Sequence, residues 1–270
     1  MGQTIACANQ KGGVGKTTTV ISLGSYLALA GERVLVVDLD PQGNATSGLG
    51  FDRGSIERSI YDGVVDGTAI EDLIMVGPMA GLDLVPSAIA LAGAEIELAP
   101  VAGRERRLAR LLDAIDDRYD YILVDCPPAL GLLTVNALTA ADAVLIPLQC
   151  EYYALEGLTQ LLATLNLVRD NLNPGLAVKG VVLTMYDGRT NLSADVAAEA
   201  RRHLGDGVFQ TVIPRSVRLS EAPSHGLPIS RYSPDSTGAV AYAALAAELR
   251  ARDGRPPANV DAVREPVRVT

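Results

Sequence analysis

The chain has 270 residues, a formal net charge of −9 at pH 7 and 48% hydrophobic residues, with no tryptophan. A chain of this length can bury roughly three-quarters of the surface that its unfolded form exposes, so one large domain with an aliphatic core is expected. The acidity argues against a protein that coats itself in nucleic acid, although it leaves room for a local basic face. No apolar run approaches the roughly 20 residues of a membrane span. Met1 leads directly into a predicted strand, without the pattern of a signal peptide.

Short β-branched segments alternate along the chain with segments rich in alanine and leucine. The predicted strands are Thr4–Asn9, Arg33–Asp38, Leu82–Pro86, Tyr121–Asp125, Ala143–Leu148, Val178–Met185 and Val208–Ile213. The predicted helices are Lys16–Ala30, Arg104–Asp116, Thr134–Ala140, Glu156–Asn171, Ser193–His203 and Thr237–Arg252. This alternation, with strands that are mostly apolar throughout, predicts an α/β fold with a doubly wound, mostly parallel β-sheet flanked by helices. We expect residues 1–252 to form this single domain and residues 253–270, rich in proline and charge, to form a disordered tail.

Polar segments follow several of the predicted strands. In a doubly wound sheet, ligands lie beyond the carboxyl ends of the strands. The segments at those ends are NQKGGVGKTT, DLDPQGNATSG, DCPPALG, PLQCEYY and PRSVRLSEAPSHG. We therefore expect these segments to meet at one edge of the sheet and to form a single site.

The segment NQKGGVGKTT, residues 9–18, predicts a phosphate-binding loop that leads into a helix. Its glycines let backbone N–H groups curve around phosphate oxygens, and the start of the helix adds its positive dipole end. Lys16 can then reach the β- and γ-phosphates, while the Thr17 hydroxyl can ligate Mg²⁺. The residues expected to contact the nucleotide from this loop are Gly12, Gly13, Val14, Gly15, Lys16, Thr17 and Thr18.

The loop departs from the standard pattern G-x-x-x-x-G-K-[ST] at its first position. Gln10 stands where the first glycine is expected, and a second lysine, Lys11, follows it. The pattern by itself does not say why a phosphate-binding loop carries this additional cation.

Acidic residues end two of the predicted strands. Asp125 closes the run YILVD, where a carboxylate is positioned to hold Mg²⁺. Asp38 and Asp40 follow the second strand and lie on the same side by period-2 alternation, so either could orient the attacking water. Spacing alone does not choose between them.

The cysteines and histidines give no sign of a metal site or of a disulfide framework. The three cysteines, Cys7, Cys126 and Cys150, lack C-x-x-C spacing, and Cys7 and Cys126 fall in apolar runs where cysteine is commonly a small buried hydrophobe. This usage fits a reducing cytoplasm. His203 and His225 are far apart in the sequence and lack ligand spacing.

Four long segments resemble the ParA/MinD group of P-loop ATPases, which carry a deviant Walker A motif. KGGVGKTT, DLDPQGNATSGLG, LVDCPPALGLLTVNAL and IPRSVRLSEAPSHGLPI are similar to the corresponding segments of the chromosomal ParA proteins called Soj. The resemblance runs from about residue 2 to residue 250, and it implies a P-loop fold with ATP or ADP and Mg²⁺ as cofactors. It also implies a slow ATPase that pairs as a homodimer around two nucleotides.

The resemblance assigns roles to individual residues. It implies that Lys11 reaches across the dimer and contacts the ATP of the other subunit. Asp40 corresponds to the residue that positions the hydrolytic water, and Asp125 to the Walker B acid, which leaves Asp38 in a supporting role. The residues implied at the metal are Thr17, Asp40 and Asp125, and those implied in catalysis are Lys11, Lys16, Asp40 and Asp125. Further nucleotide contacts are implied at Glu151, Pro214 and Arg215.

One part of the chain is basic although the whole is acidic. Residues 179–231 contain seven Lys or Arg and five Asp or Glu, so they carry a net charge of +2. The resemblance implies that Arg189, Arg215 and Arg218 bind non-specific double-stranded DNA when the ATP dimer forms. It further implies a ParB/Spo0J-like centromere-binding partner that stimulates hydrolysis, a cytoplasmic, nucleoid-associated location and a role in chromosome or plasmid partition.

Three other functions compete with this interpretation. A MinD-like membrane-cycling ATPase needs a C-terminal amphipathic helix, which Pro256, Pro257 and Pro266 disfavour, so no membrane partner is expected. A redox ATPase like the nitrogenase iron protein needs paired cluster cysteines, and Cys126 and Cys150 lack that context. A small-molecule kinase would transfer phosphate to an acceptor other than water.

Overall fold

The computed structural model describes residues 2–151 and 154–257. Within these residues, eight strands form one sheet: β1 (Gln3–Cys7), β2 (Val34–Asp38), β3 (Met75–Met79), β4 (Leu82–Val85), β5 (Tyr121–Asp125), β6 (Ala143–Gln149), β7 (Ala177–Tyr186) and β8 (Val208–Pro214). The strand order is β3-β4-β2-β5-β1-β6-β7-β8. Every neighbouring pair is parallel except β3 with β4. The mostly parallel sheet expected from the sequence is therefore confirmed.

Helices cover both faces of the sheet. In the described residues they are α1 (Lys16–Leu29), α2 (Asn44–Gly48), α3 (Leu91–Leu98), α4 (Arg107–Leu112), α5 (Leu132–Ala140), α6 (Ala154–Asn171), α7 (Asn191–Leu204), α8 (Val217–Glu221), α9 (Ile229–Tyr232) and α10 (Thr237–Arg252). One buried cluster joins α1, α2, α9 and α10 to the sheet, and a second joins α3 to α7 to its other face. Successive residues of β1 enter opposite clusters, as the period of a strand requires. None of the described helices is both long enough and apolar enough to cross a membrane.

The sequence-based prediction missed one strand and four helices, and it merged three short helical segments into one helix. Strand β3 carries Gly77 and Pro78 and alternates between half-buried and exposed residues, as expected for the edge strand that it is. The helix predicted at Arg104–Asp116 is instead a 3₁₀ turn, the six-residue α4 and a second 3₁₀ turn. Helix α3 was not predicted, and neither were the short helices α2, α8 and α9.

The strand registers bring the predicted site segments together. Strand β5 lies between β1 and β2, with Cys7 and Asp38 both paired in register with Asp125. The loops that follow these three strands therefore start side by side at the carboxyl edge. Strands β7 and β8 end next to each other on the other side of β1, and the Arg215 N–H donates to the Tyr186 carbonyl oxygen at 3.1 Å.

At the opposite edge of the sheet, the residues that follow α10 are tied to the domain. Asp253 pairs with the Lys179 ammonium and accepts a hydrogen bond from the Tyr121 hydroxyl at 2.9 Å. Arg255 pairs with Glu32 and lies over the Tyr121 ring. The first residues of the expected tail thus contact the sheet, while residues 258–270 lie outside the described residues.

Candidate nucleotide-binding site

The loop between β1 and α1 has the backbone of a phosphate-binding loop. Gly13 and Gly15 adopt φ angles of 74° and 90°, which side-chain-bearing residues rarely adopt. Helix α1 begins at Lys16, directly after Gly15, so its unpaired N–H groups face the loop. The glycines are needed here because the chain must reverse tightly between a buried strand and a buried helix.

Hydrogen bonds to β6 and β7 hold this loop in place. The Thr184 hydroxyl donates to the Val14 carbonyl oxygen at 2.8 Å, and both residues are buried. Asn9 accepts a hydrogen bond from the Lys11 N–H at 3.0 Å and donates to the Pro147 carbonyl oxygen at 2.7 Å. Thr184 and Pro147 were not singled out in the sequence, because they lie 170 and 138 residues from their partners Val14 and Asn9 and leave no local pattern to find.

The two lysines of the loop occupy different environments. Lys16 is 6% exposed, and its ammonium donates to the Lys11 carbonyl oxygen at 3.3 Å, which keeps it within the loop. The Lys11 side chain is 44% exposed and leaves the loop for Glu151, with 2.6 Å between Nζ and Oε2. The other carboxylate oxygen of Glu151 accepts a hydrogen bond from Gln149 at 2.5 Å. The structure thus brings Lys11 and Glu151 together, 140 residues apart in the sequence.

Asp125 is fully buried, and within the described part of the chain neither of its carboxylate oxygens has a hydrogen-bond partner of normal geometry. Burial and the nearby charge of Asp38 raise its pKa well above the ordinary range, while the Thr17 hydroxyl and the Lys16 ammonium partly oppose that rise. Burying an ionised carboxylate without a cation or hydrogen-bond donors raises the free energy of the folded state. This donor set fits a divalent cation held by Asp125 and Thr17.

Magnesium does not need a complete cage of protein ligands. In nucleotide sites it takes one or two protein oxygens and completes its shell with waters and phosphate oxygens. Among the described residues, no three Asp, Glu, His or Cys side chains converge closely enough to hold a metal ion by themselves.

Asp38 and Asp40 have different hydrogen-bond partners. Asp38 is fully buried, and its oxygens accept hydrogen bonds from Thr46 and from the Asp40 N–H. Burial raises the pKa of Asp38 to about 6, against the lowering effect of these hydrogen bonds. Asp40 is 7% exposed, and among the described residues its carboxylate accepts one hydrogen bond, from the Gln42 N–H at 2.9 Å. Asp40 therefore retains a carboxylate oxygen that can accept from a ligand or a water.

A cavity of about 310 Å³ opens beside the loop. Pro214 and Arg215 line it together with Gly15 and Thr18 of the loop region, so the structure places all four in one pocket. Met185 also lines it, with a φ angle of 50°, which is uncommon for a side-chain-bearing residue. The other lining residues are Thr184, Ile213, Ser216, Leu219, Ser220, Pro223 and Tyr242. This volume and its largely apolar walls suit a planar base.

The three candidate DNA-binding arginines lie at the carboxyl ends of β7 and β8. The Arg189 side chain is 87% exposed and donates to Asp187 at 2.9 and 2.7 Å. Arg189, with Arg215 as a further nearby charge, lowers the pKa of Asp187 to about 2. The Arg218 side chain is 59% exposed and donates to Glu221 at 2.8 Å. Lys179, at the start of β7, is only 9% exposed and lies at the other edge, so it contributes nothing to this surface.

Comparisons with known proteins agree with this geometry. The AAA domain family matches residues 2–178. The sporulation initiation inhibitor protein Soj of Bacillus subtilis is 58% identical over 251 residues, which cover 93% of this chain and 99% of that protein. The chromosome-partitioning ATPase Soj of Treponema pallidum is 51% identical, covering 94% of this chain and 100% of that protein.

The chain belongs to the Soj/ParA family of P-loop ATPases.

Solved structures support the fold and the ligands of the family. A protein described as cobyrinic acid a,c-diamide synthase from Mycobacterium smegmatis, with bound ADP and magnesium, is 40% identical with a TM-score of 0.82, over 95% of this chain and 98% of that one. The cell division ATPase MinD of Pyrococcus furiosus is 28% identical with a TM-score of 0.78, over 93% and 100% of the two chains. The family, the fold class, the ATPase class and the cofactors expected from the sequence are thereby confirmed.

Proposed function

We propose that this Soj/ParA-family chain is a DNA-segregation ATPase that pairs around two Mg·ATP, and that the resulting homodimer binds non-specific double-stranded DNA. Hydrolysis to ADP and phosphate separates the subunits and releases the DNA. A ParB/Spo0J-like centromere-binding protein stimulates this step, so the cycle moves chromosome origins or plasmids over the nucleoid in the cytoplasm. The names of the partition relatives support this role.

The observation that carries the proposal is the position of Lys11. A second lysine that only strengthened the field of its own loop would lie beside Lys16, whereas the Lys11 side chain extends away to Glu151. Two polyphosphates that face each other across a dimer repel strongly, and a cation supplied by each subunit to the other's nucleotide offsets that repulsion. The Lys11 ammonium is exposed enough to leave Glu151 for such a partner.

Each residue of the site has a separate role in hydrolysis. The loop N–H groups and Lys16 hold the phosphates, and Asp40 accepts a hydrogen bond from the attacking water and orients it. Mg²⁺ bound to Thr17 and Asp125 would neutralise the charge that develops on the phosphates. Pro214 and Arg215 hold the base in the cavity beside the loop.

The arginines at the ends of β7 and β8 supply the DNA surface. A monomer offers Arg189, Arg215 and Arg218, and pairing doubles that number. If each contacts one phosphate, about six contacts give a slope near −5 for the logarithm of the binding constant against the logarithm of the salt concentration. Since a monomer has half of these contacts, pairing acts as a switch for DNA affinity.

The thiols disfavour an enzyme that uses a cysteine as its nucleophile. Cys7, Cys126 and Cys150 are all buried. Burial raises the pKa of the Cys7 and Cys126 thiols well above the ordinary range, and that of Cys150 to about 11. A nucleophilic cysteine needs the opposite, a lowered pKa and access to substrate.

DNA binding measured in three nucleotide states tests the proposal. Filter retention of a duplex of mixed sequence is compared with ATP, with ADP and without nucleotide, across a salt series. We expect strong retention with ATP alone and a slope near −5. Equal retention in all three states would refute the proposed switch, and ATP-dependent pelleting with liposomes would favour the MinD-like alternative.

Arg218→Glu supplies the matched variant for that assay. The reversed charge repels phosphate, so retention should fall while ATP-dependent pairing continues. The control is Arg58→Glu. The Arg58 side chain is 59% exposed, as is that of Arg218, but it pairs with Asp72 and is far along the chain from the ends of β7 and β8.

A further inference from the structure

The carboxylate of Asp38 is the centre of a buried hydrogen-bond network beneath Asp40. One oxygen of Asp38 accepts from the Thr46 N–H and from the Thr46 hydroxyl, both at 2.7 Å. The other accepts from the Asp40 N–H at 3.2 Å. Asp38 and Thr46 are fully buried, and Asp40 is 7% exposed. The network thus fixes the peptide group that carries the Asp40 side chain.

Thr46 connects this network to a third segment. Its hydroxyl donates its proton to Asp38 and accepts a hydrogen bond from the Ser87 N–H at 3.0 Å. Ser87 follows β4, which pairs with β2 directly beneath Asp38. The hydroxyl of Thr46 therefore joins the end of β2, the start of α2 and the segment after β4, so that none of the three can shift alone.

This arrangement matters because Asp40 must hold its water accurately. A general base or water-orienting group loses efficiency steeply when it is misplaced, and a displacement of 1 Å can cost about 100-fold in rate. The loop from Asp40 to Gly43 is short, and Gly43 itself adopts a φ angle of 61°. A loop of this kind has other conformations available, so its position depends on what holds its ends.

We propose that Thr46 is a positioning residue for ATP hydrolysis, holding Asp40 in place through Asp38. This inference rests on the proposed role of Asp40 in orienting the attacking water. Among the described residues, the Thr46 hydroxyl is hydrogen-bonded to Asp38 and to the Ser87 N–H, and Asp38 in turn accepts from the Asp40 N–H, so Thr46 is linked to Asp40 through Asp38.

The test replaces the threonine hydroxyl by a methyl group. Thr46→Val keeps the shape and the N–H bond to Asp38 but removes both hydrogen bonds of the hydroxyl. We expect kcat to fall at least about tenfold, with little change in KM or in the affinity for a fluorescent ATP analogue. Thr46→Ser restores the hydroxyl and should recover most of kcat. Since hydrolysis is what separates the subunits, the Thr46→Val dimer should also persist longer with Mg·ATP.

Two further variants separate this effect from loss of folding. Thr139→Val makes the same chemical change at a buried threonine whose hydroxyl donates, in the described structure, to the Val135 carbonyl oxygen of its own helix, and it should leave kcat unchanged. If Thr46→Val does not fold, Thr46→Ala removes the hydroxyl without placing a methyl group against Asp38. A folded Val or Ala variant with kcat within twofold of the original chain would overturn the proposal, as would failure of Thr46→Ser to rescue.

The Asp40→Ala variant distinguishes failure of the positioning role of Thr46 from failure of the water-orienting role of Asp40. If Asp40→Ala loses hydrolysis and Thr46→Val does not, only the positioning role fails. If Asp40→Ala retains hydrolysis, the proposed role of Asp40 fails. When both roles hold, Thr46→Val adds no further loss in the Asp40→Ala background, since residues acting through one group are not additive.

Discussion

At the scale of single residues, the two loop lysines differ in exposure and in partner, and this difference separates their roles. Lys16 lies within the loop, 6% exposed, whereas Lys11 reaches a carboxylate 140 residues away in the sequence. An ammonium buried within the loop is placed to bind phosphate in the same chain. An ammonium that reaches outward can serve a second chain.

Lys16→Ala should strongly weaken ATP binding by the monomer. A charge-assisted hydrogen bond inside a partly closed loop contributes up to about 3 kcal/mol, so affinity should fall by up to about 100-fold. Titration with a fluorescent ATP analogue measures this. Lys11→Ala is the control in the same loop and should keep monomer affinity; unchanged affinity of Lys16→Ala would contradict its assigned role.

Asp187 should restrain DNA binding because its carboxylate occupies the Arg189 guanidinium. Asp187→Asn removes that charge, so DNA affinity of the ATP dimer should rise, by about two- to fivefold for an exposed pair. Because the pKa of Asp187 is about 2, its charge would be lost only as the pH falls toward that value. The rise should therefore be the same at pH 6 and pH 8.

Asp113→Asn is the control for that variant. It makes the same change in net charge at an exposed residue next to α4, on the other half of the sheet. Filter retention should show an increase for Asp187→Asn that Asp113→Asn does not share. Equal increases would mean that net charge, rather than the local pair, sets the affinity.

At the scale of elements, α10 and the residues after it close the amino-terminal edge of the sheet. The Arg250 guanidinium donates to Glu32 at 2.8 Å, and the two side chains are only 7% and 9% exposed. Glu32 also pairs with Arg255. This buried network holds α10 against the segment between α1 and β2.

Arg250→Ala should lower the free energy of unfolding by about 3 kcal/mol, because it leaves Glu32 buried with one of its two cations. Urea denaturation with unchanged m-value provides the measurement. Arg33→Ala is the matched control. Arg33 pairs with Asp120, but its side chain is 58% exposed, so its loss should lower the free energy of unfolding by less than about 1 kcal/mol. Similar losses in both variants would contradict the importance of burial.

Elements with strong local patterns could be predicted from the sequence, and those that depend on distant partners could not. The strands from β4 to β8, with β1 and β2, are apolar runs bounded by polar segments, and each predicted position corresponds to a strand. Strand β3 contains glycine and proline, and its place in the sheet depends on pairing with β4. Helix α3 buries just Leu91, Ala94 and Leu98.

The site was predictable where one contiguous segment carries the chemistry. The loop from Gly12 to Thr18 could be located from its glycines and its lysine. The pairing of Lys11 with Glu151, the support of Val14 by Thr184 and the contact of Thr46 with Ser87 join residues that are far apart in the chain. No local spacing encodes such contacts, because they depend on strand order and register.

At the scale of the whole molecule, nucleotide binding, pairing and DNA binding form one sequence of events in the proposed cycle. The nucleotide loop and the arginines lie at the same carboxyl edge of the sheet, after strands β1, β7 and β8. Pairing at this edge would place two sets of arginines on one assembly. The net charge of −9 then matters less than the local charge at the strand ends.

Sedimentation velocity of the Asp40→Ala variant with Mg·ATP tests the central claim, that Lys11 couples nucleotide binding to pairing. Blocking hydrolysis keeps ATP in the site, so the account predicts a dimer with Mg·ATP, a monomer with Mg·ADP and a monomer with Mg·ATP once Lys11→Ala is added. The added variant must still bind the fluorescent ATP analogue. A chain that remains monomeric at high concentration while saturated with Mg·ATP, or one that pairs equally well without the Lys11 ammonium, would contradict the account.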